Sequence, residues 1–364
     1  MLVLLGRAVA KQGLSPILQA GTGSRQLRVA AAIGLGWGAV ATVSLIDLQF
    51  GHALYFSVVA VDYRAHIAII DAIARTGVPP VNPSFFPGQP VELYYYYFWF
   101  MLGSLVDLLG GPVVGARGAS FGTTIWSGLG LLSIVALYVQ PTGVHDRVRS
   151  WTRSGVAIGL LLVSGVDVIP VVIESLASLT IGQGKFYADL EWWNEQITAW
   201  LGAMVWVPHH VAALVAGFTA ILLLRNVQQA RGRQEIVTLG VLAGVSFASA
   251  AGTSIWVTFT FAAFLAVWLF ISFRRRWRGE LTAAAVAGAV ATVLAAPYLL
   301  DLRHADQLGG IPIAPTVRAF LPAHQLLGAI GWGNVGAEYF FDSLLLPLNY
   351  SLELGFFAVA AIVY

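Results

Sequence analysis

Long apolar runs alternate along the chain with short polar segments in which positive charge collects. Runs long enough to cross about 30 Å of hydrocarbon as helices fall near residues 28–48, 94–110, 119–139, 154–173, 205–224, 236–252, 254–272, 281–300 and 346–364. They predict an all-α, polytopic transmembrane helix bundle of about nine helices, because backbone groups in lipid must find their partners within one segment. The opening, Met1 to Leu5, is apolar for too few residues before Arg7 and Lys11 to form a signal-peptide core, so residues 1–27 read as an interfacial lead. At the other end, Ala358 to Tyr364 stop inside an apolar helical pattern, which reads as a truncated C-terminus. No repeat or low-complexity tract divides residues 1–364, which form a single polytopic unit.

Basic clusters mark the cytoplasmic side: Arg25 and Arg28; Arg147, Arg149 and Arg153; Arg225, Arg231 and Arg233; and Arg274, Arg275, Arg276 and Arg278. The polar segments 49–93, 174–204 and 301–345 then become outer loops. Between Arg28 and Arg147, however, the pattern gives an odd number of spans where an even number is needed. The stretch 94–139 is broken by Gly110-Gly111-Pro112. The preferred expectation is that it contains a half-helix that does not cross; the alternative places the first basic pair outside.

Composition reinforces this picture and removes whole classes of function. Hydrophobic residues make up 58% of the chain and charged residues 10%, against roughly 25% charge in a globular protein. A net charge of +2 offers no basic surface for nucleic acid, and the absence of cysteine excludes disulfides, thiolate metal sites and a cysteine nucleophile.

Candidate chemistry sits in the outer loops. The run Val61 to Arg75 reads as a helix lying in the membrane interface, with Asp62 and His66 one turn apart and Asp71 paired with Arg75. Gly77-Val78-Pro79-Pro80-Val81-Asn82-Pro83 ends it and stiffens the following loop. At the membrane surface Asp62 is either a solvated face residue or a general base, which removes a hydroxyl proton with a gain of roughly 10²–10⁴ in rate. His66 would tune it. The aromatic run Tyr94 to Phe100 is denser than interfacial anchoring requires, and Tyr96 is a candidate for stacking on a sugar or isoprenoid.

Further on, Trp192-Trp193-Asn194-Glu195-Gln196 leads to Trp206-Val207-Pro208-His209-His210. Trp193, Asn194 and Glu195 are candidate substrate contacts. Ionisable residues at a span entrance are costly and generally face a cavity, and a helix N-terminus favours an anion, so His209 and His210 are candidate phosphate contacts. Arg303, with Arg318 beyond it, offers a cation to the same kind of group. A divalent ion shared by Asp62, His66 and one of the doublet suits these residue types, but no H-E-x-x-H spacing supports it and no metal ligands are assigned. The turn around Gly252-Thr253-Ser254 reads as structural, its small residues permitting close helix approach.

In the segments Asp62–His66, Gly77–Pro83, Tyr94–Phe100, Trp192–Gln196 and Trp206–His210, the sequence resembles a group of bacterial polytopic membrane proteins similar to GT-C type glycosyltransferases. The resemblance implies a bacterial inner-membrane enzyme with a polyprenyl-phosphate sugar as donor and inversion at the anomeric carbon. It also implies a catalytic acidic residue in the first long outer loop, here Asp62 alone, without the adjacent carboxylate that many GT-C loops carry. Two other classes compete: a transporter or flippase of a lipid-linked substrate, and a non-catalytic protein of envelope assembly. Polar candidates in outer loops rather than at the bilayer midplane favour surface chemistry over transport.

Overall fold

The computed structural model describes residues 25–55, 57, 62–84, 88, 91–139, 155–162, 168–180, 199–307 and 317–363. Among them the chain is all-α, a membrane helix bundle whose only sheet is a two-stranded hairpin. The elements are α1 (Arg25–Leu45), β1 (Leu48–Phe50), β2 (Ala53–Tyr55), α2 (Tyr63–Thr76), α3 (Phe98–Val139), α4 (Val168–Thr180), α5 (Trp200–Trp206), α6 (Pro208–Asn226), α7 (Arg233–Thr253), α8 (Ile255–Arg274), α9 (Arg278–Gln307), α10 (Leu321–Ala329) and α11 (Val335–Val363).

Five helical segments among the described residues are long and apolar enough to cross a membrane: Phe98–Tyr138, Pro208–Gln229, Arg233–Thr253, Ile255–Arg274 and Arg278–Asp301. The expectation of about nine helices differs from this for physical reasons. The apolar part of α1 is shorter, Ala30–Leu45. The runs expected at 94–110 and 119–139 form one continuous element that is folded back on itself, and residues 163–167, in the middle of the run expected at 154–173, lie outside the described residues.

The fold-back follows from Gly111 and Gly115, whose φ angles of 52° and 62° belong to the left-handed region where a side chain would be strained, with Pro112 between them. Trp99 Nε1 donates to Ser127 Oγ at 2.9 Å across a sequence separation of 28. In a straight helix the two would stand about 42 Å apart at 1.5 Å per residue. α3 is therefore a helical hairpin. Its first arm, Phe98 to Gly110, is only about 20 Å long. α1 flanks the second arm, where Trp37 Nε1 donates to the carbonyl of Ile125 (2.9 Å).

Two compact units divide the chain: residues 1–157 with 204–305, and residues 158–203 with 306–364. In the first, α6, α7, α8 and α9 run alternately, so the basic residues between α6 and α7 (Arg225, Arg231, Arg233) and between α8 and α9 (Arg274 to Arg278) gather at one end. The start of α6 and the α7–α8 turn lie at the other. Ala220, Leu224, Val227, Ala243, Ala283 and Ala287 form the core between α6, α7 and α9. In the second unit, Asp342 of α11 accepts from the Phe320 amide (2.8 Å) and contacts His324 Nε2 at 2.8 Å, fixing the start of α10.

Close approach of α7 and α9 depends on glycine. A Cβ on Gly244 would stand 2.6 Å from the carbonyl oxygen of Ala287, and backbone cannot give way as a side-chain tip can. Gly244→Ala is thus expected to destabilise by about 1–3 kcal/mol through overpacking, against the helix propensity that favours alanine. Gly122→Ala, whose Cβ would meet open space, is expected to be neutral or mildly stabilising. Thermal unfolding midpoints of the two variants in the same detergent check this; equal midpoints would remove the packing argument.

Candidate functional site

α2 begins two residues later than the sequence pattern suggests, at Tyr63 instead of Val61, so Asp62 caps the helix instead of lying inside it. Its carbonyl accepts from the His66 amide at 3.0 Å, and its side chain makes no capping bond. The buried face is Tyr63, His66, Ile70 and Ile73, packed on the α3 hairpin. Two bonds fix that docking: Tyr63 Oη donates to the carbonyl of Arg117 (3.1 Å), and Ser104 Oγ donates to the carbonyl of Ile70 (2.8 Å). The helix ends at Gly77 as expected. The Pro-rich loop then closes on itself, with Asn82 N donating to Val91 O and Leu93 N to Pro80 O, each at 2.8 Å. This closure delivers Tyr94 to Tyr97, as coil, to the start of α3.

The second wall is the α5–α6 junction. Pro208 occupies the first turn of α6, where its missing N–H costs nothing, and the Val207 carbonyl accepts from both His210 N (2.9 Å) and Val211 N (3.3 Å). His209 turns inward. It is 2% exposed, stacks on Tyr96 with ring centroids 5.2 Å apart, and meets the His66 ring edge to face at 5.3 Å. Trp99 and Phe100 complete the enclosure. His210 faces the α7–α8 turn, where its Nδ1 shares a 2.7 Å hydrogen bond with Ser254 Oγ. Ser254 also caps α8 by accepting from Val257 N (3.3 Å).

Asp62 is tied to this wall. Trp206 Nε1 donates to its Oδ2 at 2.6 Å across 144 residues, while Oδ1 accepts no hydrogen bond from the described residues. One carboxylate oxygen is held and the other is unbonded among the described residues. Burial pushes the His66 imidazole down to about 4, against the opposing pull of the Asp62 charge and with a smaller push from His210, so it is uncharged at neutral pH. Burial likewise raises the phenols of Tyr95 and Tyr96, whose hydroxyls are joined at 2.6 Å.

Asp62, His66, Tyr96, His209 and His210 thus stand together, although they span nearly 150 positions of the sequence. Trp193, Asn194 and Glu195 lie outside the described residues, as does the side chain of Arg303, whose backbone belongs to α9. Among the described residues no group of three histidine or acidic side chains is arranged to hold a metal ion. Sequence reasoning missed Trp206 as the partner of Asp62, Ser254 as the partner of His210, and Tyr298 of α9, whose buried ring packs against Tyr97 and Phe98. The signal for Trp206 was its place two residues before the proline and histidine doublet. Nothing local distinguished Ser254 from an ordinary small turn residue.

Trp206→Phe keeps the aromatic body and removes the donor. It is expected to destabilise by about 1–3 kcal/mol, as a hydrogen bond to a charged group does. Asp62→Asn, which retains an acceptor oxygen, should lose less. Thermal unfolding of both purified variants measures the difference, and a Trp206→Phe midpoint equal to the parent's would show that the contact is not formed.

A protein of Sinorhizobium fredii, Uncharacterized protein y4nK, is 27% identical to this chain over 268 residues, covering 70% of the chain and 37% of that protein. The chain thus spans little more than a third of that relative's length. No family model matches the sequence. No solved structure matches it.

Proposed function

We propose that this membrane helix bundle carries the catalytic face of a glycosyltransferase of GT-C type, which moves a sugar from a polyprenyl-phosphate donor to an acceptor of the bacterial envelope. The observation that carries the reading is the Asp62 carboxylate, anchored through one oxygen by Trp206 and open at the other, beside an uncharged, aromatic-walled histidine cluster. A held carboxylate with one free oxygen is what a general base needs, because the productive geometry is set before the substrate arrives.

In the proposed step the acceptor hydroxyl gives its proton to Asp62 while its oxygen attacks the anomeric carbon. The bond from that carbon to the phosphate oxygen breaks, and the lipid phosphate leaves with the electron pair, which inverts the anomeric centre. Aromatic walls exclude water and protect the donor from hydrolysis. The fold-back of α3 supports the accompanying topology. A first arm too short to cross leaves α3 a single crossing, and with the 21-residue α1 taken as the other, the count between Arg28 and Arg147 is the even number that an outer position of residues 49–93 requires.

A second reading, transport or flipping of a lipid-linked substrate, is favoured by the broken α3 hairpin, since transporters build sites on interrupted helices. Asp62→Asn discriminates. Cells carrying the variant at parental levels lose incorporation of labelled sugar into envelope glycolipid if Asp62 is the base, and keep it if the chain transports or only supports assembly.

A further inference from the structure

Four buried polar atoms of the aromatic cluster have no hydrogen-bond partner among the described residues: His66 Nδ1, both ring nitrogens of His209, and Tyr298 Oη. Buried polar groups are almost always satisfied, and those left over in a native fold call for a partner that is not part of the chain. These four are not scattered. His66 and His209 are in ring contact, and Tyr298 shares a packed cluster with Tyr97, Trp99 and Phe100.

The chemistry of that partner follows from charge. The charge that acts most on His66 is the Asp62 carboxylate, which is held by Trp206. His209 is enclosed by rings and, among the described residues, holds no contact to a carboxylate that would compensate a positive charge. At the α6 N-terminus the amides of His210 and Val211 are already given to Val207 and Pro208 has none, which leaves the His209 amide as the remaining donor of the first turn. A phosphate here would face the Asp62 carboxylate, whose negative charge acts on His66 and repels an anion. Neutral imidazoles and a phenol instead offer donors and acceptors together, set among aromatic faces. That combination fits a ring whose hydroxyls both give and receive hydrogen bonds and whose C–H face lies on an aromatic wall.

We propose that His66, His209 and Tyr298 form the binding site for an uncharged, hydroxyl-bearing sugar ring, which enters by displacing Tyr96 from the face of His209, and that the lipid phosphate is held elsewhere. The assignment of the ring as a sugar rests on the transferase reading. Tyr95 and Tyr96 are coil, so they swing aside without breaking a helix.

The test uses the full chain in lipid nanodiscs with ¹⁵N-labelled histidine. Neutral methyl glycosides (glucoside, galactoside and mannoside) and inorganic phosphate at matched ionic strength are the probes, and His66→Gln and His209→Gln assign the resonances. Saturable movement of both imidazole resonances by a glycoside but not by phosphate is expected, and Tyr298→Phe, the mildest of the variants, should weaken that glycoside about tenfold. Movement by phosphate alone overturns the proposal in favour of a carrier-phosphate site, and no movement by any probe overturns it outright. If the glycosides fail while Asp62→Asn still abolishes sugar incorporation, only this site falls. If they bind while Asp62→Asn is silent, the transferase reading falls instead.

Discussion

Asp62→Asn should reduce sugar incorporation by roughly 10²–10⁴ while leaving the amount of protein in the membrane unchanged, because on the proposed transferase reading the exchange removes the proton acceptor and little else. Asparagine has nearly the volume of aspartate and keeps a carbonyl oxygen that can accept from the Trp206 indole at the position now held by Oδ2. The cap of α2 is insensitive to the change, since the Asp62 side chain makes no capping bond. Loss of product thus separates from loss of fold. Asp62→Glu retains the acid but moves it by one methylene, and should fall between the parent and the asparagine variant. Mass spectrometry of envelope glycolipids from cells expressing each form at equal levels provides the readout. A parental profile in the asparagine variant would remove Asp62 from the chemistry and with it the enzyme reading.

The second large effect is acid lability set by His66. Its side chain is 4% exposed and its folded-state proton affinity is depressed from the ordinary 6.5 to about 4, chiefly by burial. The unfolded chain therefore takes up a proton near pH 6.5 that the folded chain refuses until about pH 4. Stability is full above pH 6.5, falls as pH drops from 6.5 towards 4, and levels off below that, where both states are protonated. A shift of this size corresponds to about 3 kcal/mol across the window. The groups facing the ring are Asp62 and His210 electrostatically, with His209, Trp99 and Phe100 in ring contact. Unfolding midpoints between pH 7 and pH 4 should show the slope in the parent and a flatter profile in His66→Phe, which fills the same aromatic enclosure without a titratable group. Identical slopes would mean that His66 is hydrated in solution.

Much of the architecture was legible because lipid leaves the backbone few options. An uninterrupted apolar run must be a helix, and the basic clusters that flank such runs do gather at one end of α6 to α9. The break at Gly110-Gly111-Pro112 was visible too, as was the end of α2 at Gly77. What the pattern could not reveal is that the break reverses the chain. A glycine at positive φ and a glycine in a straight helix are the same letter, and only the Trp99–Ser127 contact distinguishes them.

For the site, residue chemistry pointed to Asp62, His66, Tyr96, His209 and His210, since ionisable and amphipathic groups beside a membrane are expensive to place without purpose. Their assembly was a matter of tertiary packing. The same holds for the partners. Trp206 and Ser254 acquire meaning through atoms 144 and 44 residues away, a separation at which no local periodicity carries information. The surroundings of the doublet were likewise set in three dimensions. The sequence placed it at a helix start, and the folded chain gives the His210 and Val211 amides to Val207 and buries His209 among rings. Elements and candidate residues are thus written in local pattern, whereas hydrogen-bond partners, burial and charge state are set by which distant surfaces meet.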